Sequence, residues 1–133
     1  MLNKIVEFLK PKKDIVILDK SVLLQPMQYL SKELVHLDKL GGSVWVRELT
    51  AKESMLYNQR VENINDVDYL KSLNAIGYMV SLGTCDENGK ALYTEKEVET
   101  LIDNSLQTVL KLHQTIVKLN NSGNIIKTIN KKK

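Results

Sequence analysis

Leu2, Ile5, Val6 and Leu9 recur at the spacing of one helix face, and Pro11 ends the pattern because the residue before a proline is pushed out of the helical region. "DIVILDK", Asp14 to Lys20, is rich in β-branched residues and predicts a strand or an extended segment. The stretch from Lys20 to Glu33 is ambiguous: Pro26 either opens a helical turn over Met27 to Leu30 or separates two extended pieces. Beyond it, two apolar runs flank Asp38 to Gly42, and the Gly41-Gly42 pair offers the positive φ values of a hairpin turn. On the second strand of that hairpin Val44 and Val46 share one face, while Ser43, Trp45 and Arg47 share the other.

Thr50 and Glu53 have the T-x-x-E spacing of a capping box, so a helix is predicted to begin at Ala51, with Tyr57, Val61 and Ile64 on one stripe. "NINDVD" breaks it and offers Asp66 or Asp68 as the next cap. The following helix, from Tyr69 to Gly83, is the most apolar. Its stripe of Tyr69, Leu73, Ile76 and Val80, widened by Leu70, Met79 and Leu82, predicts the centre of the core. A turn at Asn88-Gly89, an extended piece from Ala91 to Tyr93 and a second T-x-x-E box from Thr94 to Glu97 lead into a short helix ending at Ile102. The last helix, Ser105 to Leu119, carries Val109, Leu112, Ile116 and Leu119 on one stripe and is closed by Asn120 to Asn124. These elements predict an α+β fold, a mainly helical single domain over residues 1–124 with a small N-terminal β-hairpin or sheet. Residues 125–133 are expected to form a basic, flexible tail.

Charge narrows the function. The net charge is +3, and four lysines, Lys127 and Lys131 to Lys133, stand in the tail, which leaves the body close to neutral and speaks against a nucleic-acid surface. Only Arg47 and Arg60 supply a planar, bidentate fork. Cys85 is the only cysteine, so no intrachain disulfide forms, in keeping with a reducing cytoplasm. The N-terminal stretch reads as a structural helix, not a signal peptide, and no segment is long and apolar enough to cross a membrane.

Candidate chemistry is sparse. His36, His113 and Cys85 lack the spacing of a metal site; His113, on the stripe of Leu110 and Val117, reads as a partly buried, hydrogen-bonded histidine and His36 as a surface residue. "DENGKALYTEKE" begins like a calcium loop but places Lys90 at a ligand position and Gly89 ahead of the required turn. No phosphate-binding loop, dinucleotide fingerprint or nucleophile motif is present, so no cofactor, metal or catalytic residue is expected. Trp45 and Arg47 then stand out as residues of the kind that anchor protein interfaces. Two readings stay open: an exposed anchor pair, or a tryptophan capping the core beside an arginine paired with Glu48 or Glu53.

The order of motifs resembles the tail assembly chaperones of long-tailed, non-contractile bacteriophages and prophages. Val44, Val46, Arg47, Leu49, Thr50 and Glu53 match the family's strand-to-helix entry, and Asp86, Gly89, Tyr93 and Thr94 match its D-x-x-G-x-x-x-[FY]-[ST] segment. The resemblance runs from about residue 34 to residue 121, and residues 1–33 fall outside it. It implies a non-enzymatic protein of the host cytoplasm, absent from the mature virion. Such a protein binds the tape measure protein, keeps it soluble, helps recruit tail tube protein and forms a homo-oligomer. It also implies a longer frameshifted product, for which Lys131 to Lys133 offer a slippery run of codons. On this reading amphipathic client helices lie in an apolar groove, and Trp45, Arg47 and a nearby Tyr57 are the protein-binding residues. The rival expectation is a small structural tail or head-tail connector protein retained in the virion.

Overall fold

The structure, a computed structural model, describes residues 15–65 and 67–121. The helix read over Leu2 to Leu9 and the basic tail lie outside the described residues. The elements in chain order are β1 (Lys32–Leu37), β2 (Gly42–Arg47), α1 (Ala51–Glu62), α2 (Tyr69–Gly83), β3 (Thr84–Cys85), α3 (Val98–Leu101) and α4 (Leu106–Asn121). The fold is therefore α+β and mainly helical, with one small sheet.

That sheet is antiparallel in the order β1-β2-β3. Leu34 stands opposite Trp45 and Val35 opposite Val44, so directly paired residues share a face. Val35, Leu37 and Val46 are buried on the inner face and join Leu49, Met79, Val80, Val109, Leu112 and Ile116 in one core beneath α2 and α4. The hairpin turn departs from the glycine-pair expectation. Asp38–Leu40 form a 3-10 turn and Gly41 alone takes a positive φ, 66°, while Gly42 is already the first residue of β2.

Two readings left open before β1 are narrowed. Residues 15–19 form no strand, and Ile15, Val16, Ile17 and Leu18 are all exposed. Between them and β1 the chain makes two 3-10 turns, Val22–Leu24 and Pro26–Gln28, the second opened by Pro26 as a fixed φ allows.

α1 begins at Ala51 behind the capping box: Thr50 Oγ1 accepts from the Glu53 amide at 3.1 Å and Glu53 Oε1 accepts from the Thr50 amide at 2.9 Å. Asp68 caps α2 by accepting from the Lys71 amide at 3.0 Å. α2 is central, as its apolar content predicts, but only from Ala75 onward. Tyr69 and Leu70, expected in the core, are 81% and 78% exposed. Periodicity marks which side of a helix is apolar; it does not say how far along the axis its neighbours reach.

α3 sits close against α2 because Gly77 has no side chain: a Cβ there would fall 2.3 Å from Ile102 Cγ2 and 3.1 Å from Val98 Cγ1. At the far end of α4, Asn120 Oδ1 accepts from the Leu49 amide at 3.0 Å while its Nδ2 donates to the Ile116 carbonyl at 2.8 Å. The link from β2 to α1 is thereby tied to the last helix.

Candidate protein-binding surface

Arg47 ends β2 opposite Lys32, on the face that carries Trp45, yet its side chain is only 1% exposed. Its Nη1 and Nη2 donate to the two oxygens of Glu53 at 2.8 and 3.0 Å, the fork-to-fork geometry that makes arginine-carboxylate pairs strong. Nη1 also donates to the Glu48 carbonyl at 3.0 Å, and Nε donates to the Gly89 carbonyl at 2.8 Å. Burial would raise the Glu53 carboxyl, but the Arg47 hydrogen bond and the Thr50 amide outweigh it, and the net pKa lies below the ordinary value. One glutamate thus closes the capping box and neutralises a buried guanidinium.

The Arg47–Gly89 contact also joins the two family-like motifs, Val44–Glu53 and Asp86–Thr94. Asp86 shapes the second by accepting from the amides of Asn88 and Lys90 at 2.8 and 3.0 Å, an Asx turn that presents the Gly89 carbonyl to Arg47. Tyr78 and Arg60 form a comparable link elsewhere. The Arg60 guanidinium stacks 3.9 Å from the ring centroid, donates to Asn74 at 3.1 Å and pairs with Glu95. Both arginines of the chain are therefore engaged internally.

Trp45 lies on the outer face of the sheet, half-buried, beside exposed Leu34 and with Lys32 Nζ 5.7 Å from its ring centroid. Tyr57 is not its neighbour. It packs against the core cluster, on the side of β2 that Val46 occupies, so the sheet separates the two aromatics. The three residues expected to form one surface are placed as a half-buried tryptophan outside, a buried arginine at the strand end and a tyrosine on the helical side.

Tyr57 instead belongs to an open groove between α1, α2 and α4. Two adjoining hollows of about 420 and 500 Å³ share Tyr57 and His113. Val61, Ile64 and Ile76 line one, and Leu49, Met79 and Val117 the other. Burial raises the Tyr57 hydroxyl pKa and lowers that of His113. His113 is partly buried as expected, but its Nε2 has no hydrogen-bond partner among the described residues. Two of these helices, α1 and α2, also carry exposed apolar side chains outside the groove, at Met55, Leu56, Tyr69 and Leu70. The arrangement can receive an apolar helix face. Sequence reasoning assigned the start of α2 to the core, set Tyr57 beside Trp45 and missed the tie made by Asn120; the apolar excess of α2 over what one face can bury was the available signal.

Cys85 is buried, and burial pushes its thiol pKa up, which disfavours the reactive thiolate. Among the described residues no three His, Cys, Asp or Glu side chains are grouped to hold a metal ion.

The chain is similar in fold to the tail assembly chaperone of bacteriophage HK97. The TM-score is 0.57 at 15% identity, and the match covers 75% of this chain and 98% of the HK97 chain. No family model matches the chain. No curated protein matches it either. The likeness is one of fold, and within this chain Arg47 and Gly89 make the contact between the two motifs.

Proposed function

We propose that this chain is a phage tail assembly chaperone. It binds the tape measure protein, keeps it soluble until tail tube subunits assemble around it, and self-associates in the host cytoplasm without entering the mature virion. The observation that carries this reading is the likeness in fold over nearly the whole of the HK97 chaperone chain. The groove supports it: a long helical client exposes apolar stripes before assembly, and the α1-α2-α4 face offers Tyr57, Val61, Ile76 and Met79 to cover one. In this reading binding replaces catalysis. Tyr57 is a client contact, Trp45 belongs to a second contact on the opposite face, and Arg47 acts from behind by holding β2 to α1.

The test is co-expression with the large helical protein encoded downstream, followed by pull-down and a solubility assay. The partner is expected to become soluble and to co-purify, and Val61→Lys, a change at an exposed groove position, is expected to reduce capture while circular dichroism shows the chain still folded. An insoluble, unbound partner sinks the chaperone reading. Detection of the chain in purified particles by mass spectrometry would instead favour a structural tail or head-tail connector protein.

A further inference from the structure

The run Ile15-Val16-Ile17-Leu18 is 62–92% exposed, although four consecutive apolar residues, three of them β-branched, suit a strand covered on both faces. Among the described residues it pairs with nothing. Among the described residues the sheet, for its part, ends at β1, which has β2 on one side only. The Glu48 amide donates to the Ser31 carbonyl at 2.9 Å, and hydrogen-bonded pairs alternate along an antiparallel ladder. Ser31, Glu33, Val35 and Leu37 therefore bond toward β2, while the N–H and C=O groups of Lys32, Leu34 and His36 point outward. Lys111 Nζ meets the His36 carbonyl, which confirms that outward direction and covers one end of the edge. The groups of Lys32 and Leu34 remain, with Leu34 and Trp45 flanking them on the outer face and Val35 and Leu37 on the inner.

We propose that Ile15–Leu18 of one copy adds as a strand to the β1 edge of a second copy. Alternate residues of the run then extend the Leu34/Trp45 row and the Val35/Leu37 row at once, which explains why both of its faces are apolar. A β-branched run has the wrong periodicity for the helix-lined groove, and its backbone donors and acceptors need a ladder partner that β1 supplies. The contact joins two different surfaces, so it is satisfied throughout when copies exchange segments in a closed dimer or ring. The proposal names the surface behind the self-association included in the chaperone reading; it stands without the client.

The experiment measures oligomer size by sedimentation over about a hundredfold range of concentration, where mass action reveals association. Full-length chain is compared with Ile17→Asp, a change at an exposed site, and with Leu34→Pro, which removes an outward N–H and leaves the β2 ladder bonds in place. Each variant is expected to weaken self-association by about tenfold or more, since a charge or a missing donor is left inside a paired strand. A circular dichroism melt confirms folding, and the Ile17→Asp result decides if Leu34→Pro fails to fold. A synthetic DIVILDK peptide added to isotope-labelled protein is expected to shift the amide signals of Lys32, Leu34 and His36. Unchanged oligomer size in Ile17→Asp, or peptide shifts confined to residues around Tyr57 and His113, would overturn the proposal. So would a monomer at every concentration with the β1 amides protected from exchange, because the edge would then be covered within one chain. Client solubility measured on Ile17→Asp separates this failure from failure of the chaperone reading.

Discussion

At the scale of single residues, Arg47 is the side chain on which most depends. It answers to Glu53, Glu48 and Gly89 at once, so Arg47→Ala leaves a largely buried carboxylate without its partner and a carbonyl without its donor. The expected loss is about 3 kcal/mol in chemical denaturation, the lower end for breaking a buried ion pair because Glu53 keeps some exposure. Arg47→Lys is expected to recover only a minor part, since an ammonium cannot bond both carboxylate oxygens and Gly89 in one plane. A pH titration of stability checks the same site. Folding lowers the Glu53 pKa, so the stabilisation is complete above the ordinary value of 4.5 and is lost as pH falls through the folded value; in Glu53→Gln that part of the acid dependence is expected to vanish. Thr50 and Glu53 were legible as a cap because their spacing is local. The Arg47–Gly89 bond was not, because it spans residues that only the fold brings together.

At the scale of elements, the approach of α3 to α2 rests on Gly77. Alanine ordinarily stabilises a helix interior relative to glycine by roughly 0.5–1 kcal/mol. Here the sign is expected to reverse. The added methyl meets Ile102 Cγ2, a β-branched methyl close to the backbone, and overpacking of this kind costs about 1–3 kcal/mol. A cycle with Ile102→Ala, which removes the obstructing atom, is expected to show the two changes to be less than additive in denaturation midpoints. The groove between α1, α2 and α4 yields a second expectation. Folding lowers the His113 pKa from 6.5 by burial, so the unfolded chain takes up the proton first and stability falls as pH drops below that value. His113→Phe is expected to flatten this slope between neutral and mildly acidic pH, as read by thermal melts. The element order and the start of α1 were readable from spacing and capping; the exposed first turn of α2 was not, since the same apolar stripe serves for burial or for a partner.

At the scale of the whole molecule, the core closes when α4 is tied to the strand-to-helix link by Asn120. Asn120→Ala leaves the Leu49 amide unpaired and is expected to lose about 1–2 kcal/mol by denaturant melt. The same change is expected to loosen the groove, which Asn120 also lines, and so to weaken client capture more than a change at exposed Gln114, off the groove on the same helix, does. By itself the sequence determined the α+β class, the hairpin, the Thr50–Glu53 cap, an aspartate cap within "NINDVD" and the helical stripes, because each follows from backbone preferences and periodicity within a few residues. It also placed the two motifs in an order that resembles a chaperone family. Only the tertiary structure decided that Arg47 is buried, that Trp45 and Tyr57 face opposite sides of the sheet, and that Ile15–Leu18 and the start of α2 stay exposed. Those outcomes depend on which distant surfaces meet, and an apolar or charged side chain carries no local mark of whether its partner lies in its own chain or another.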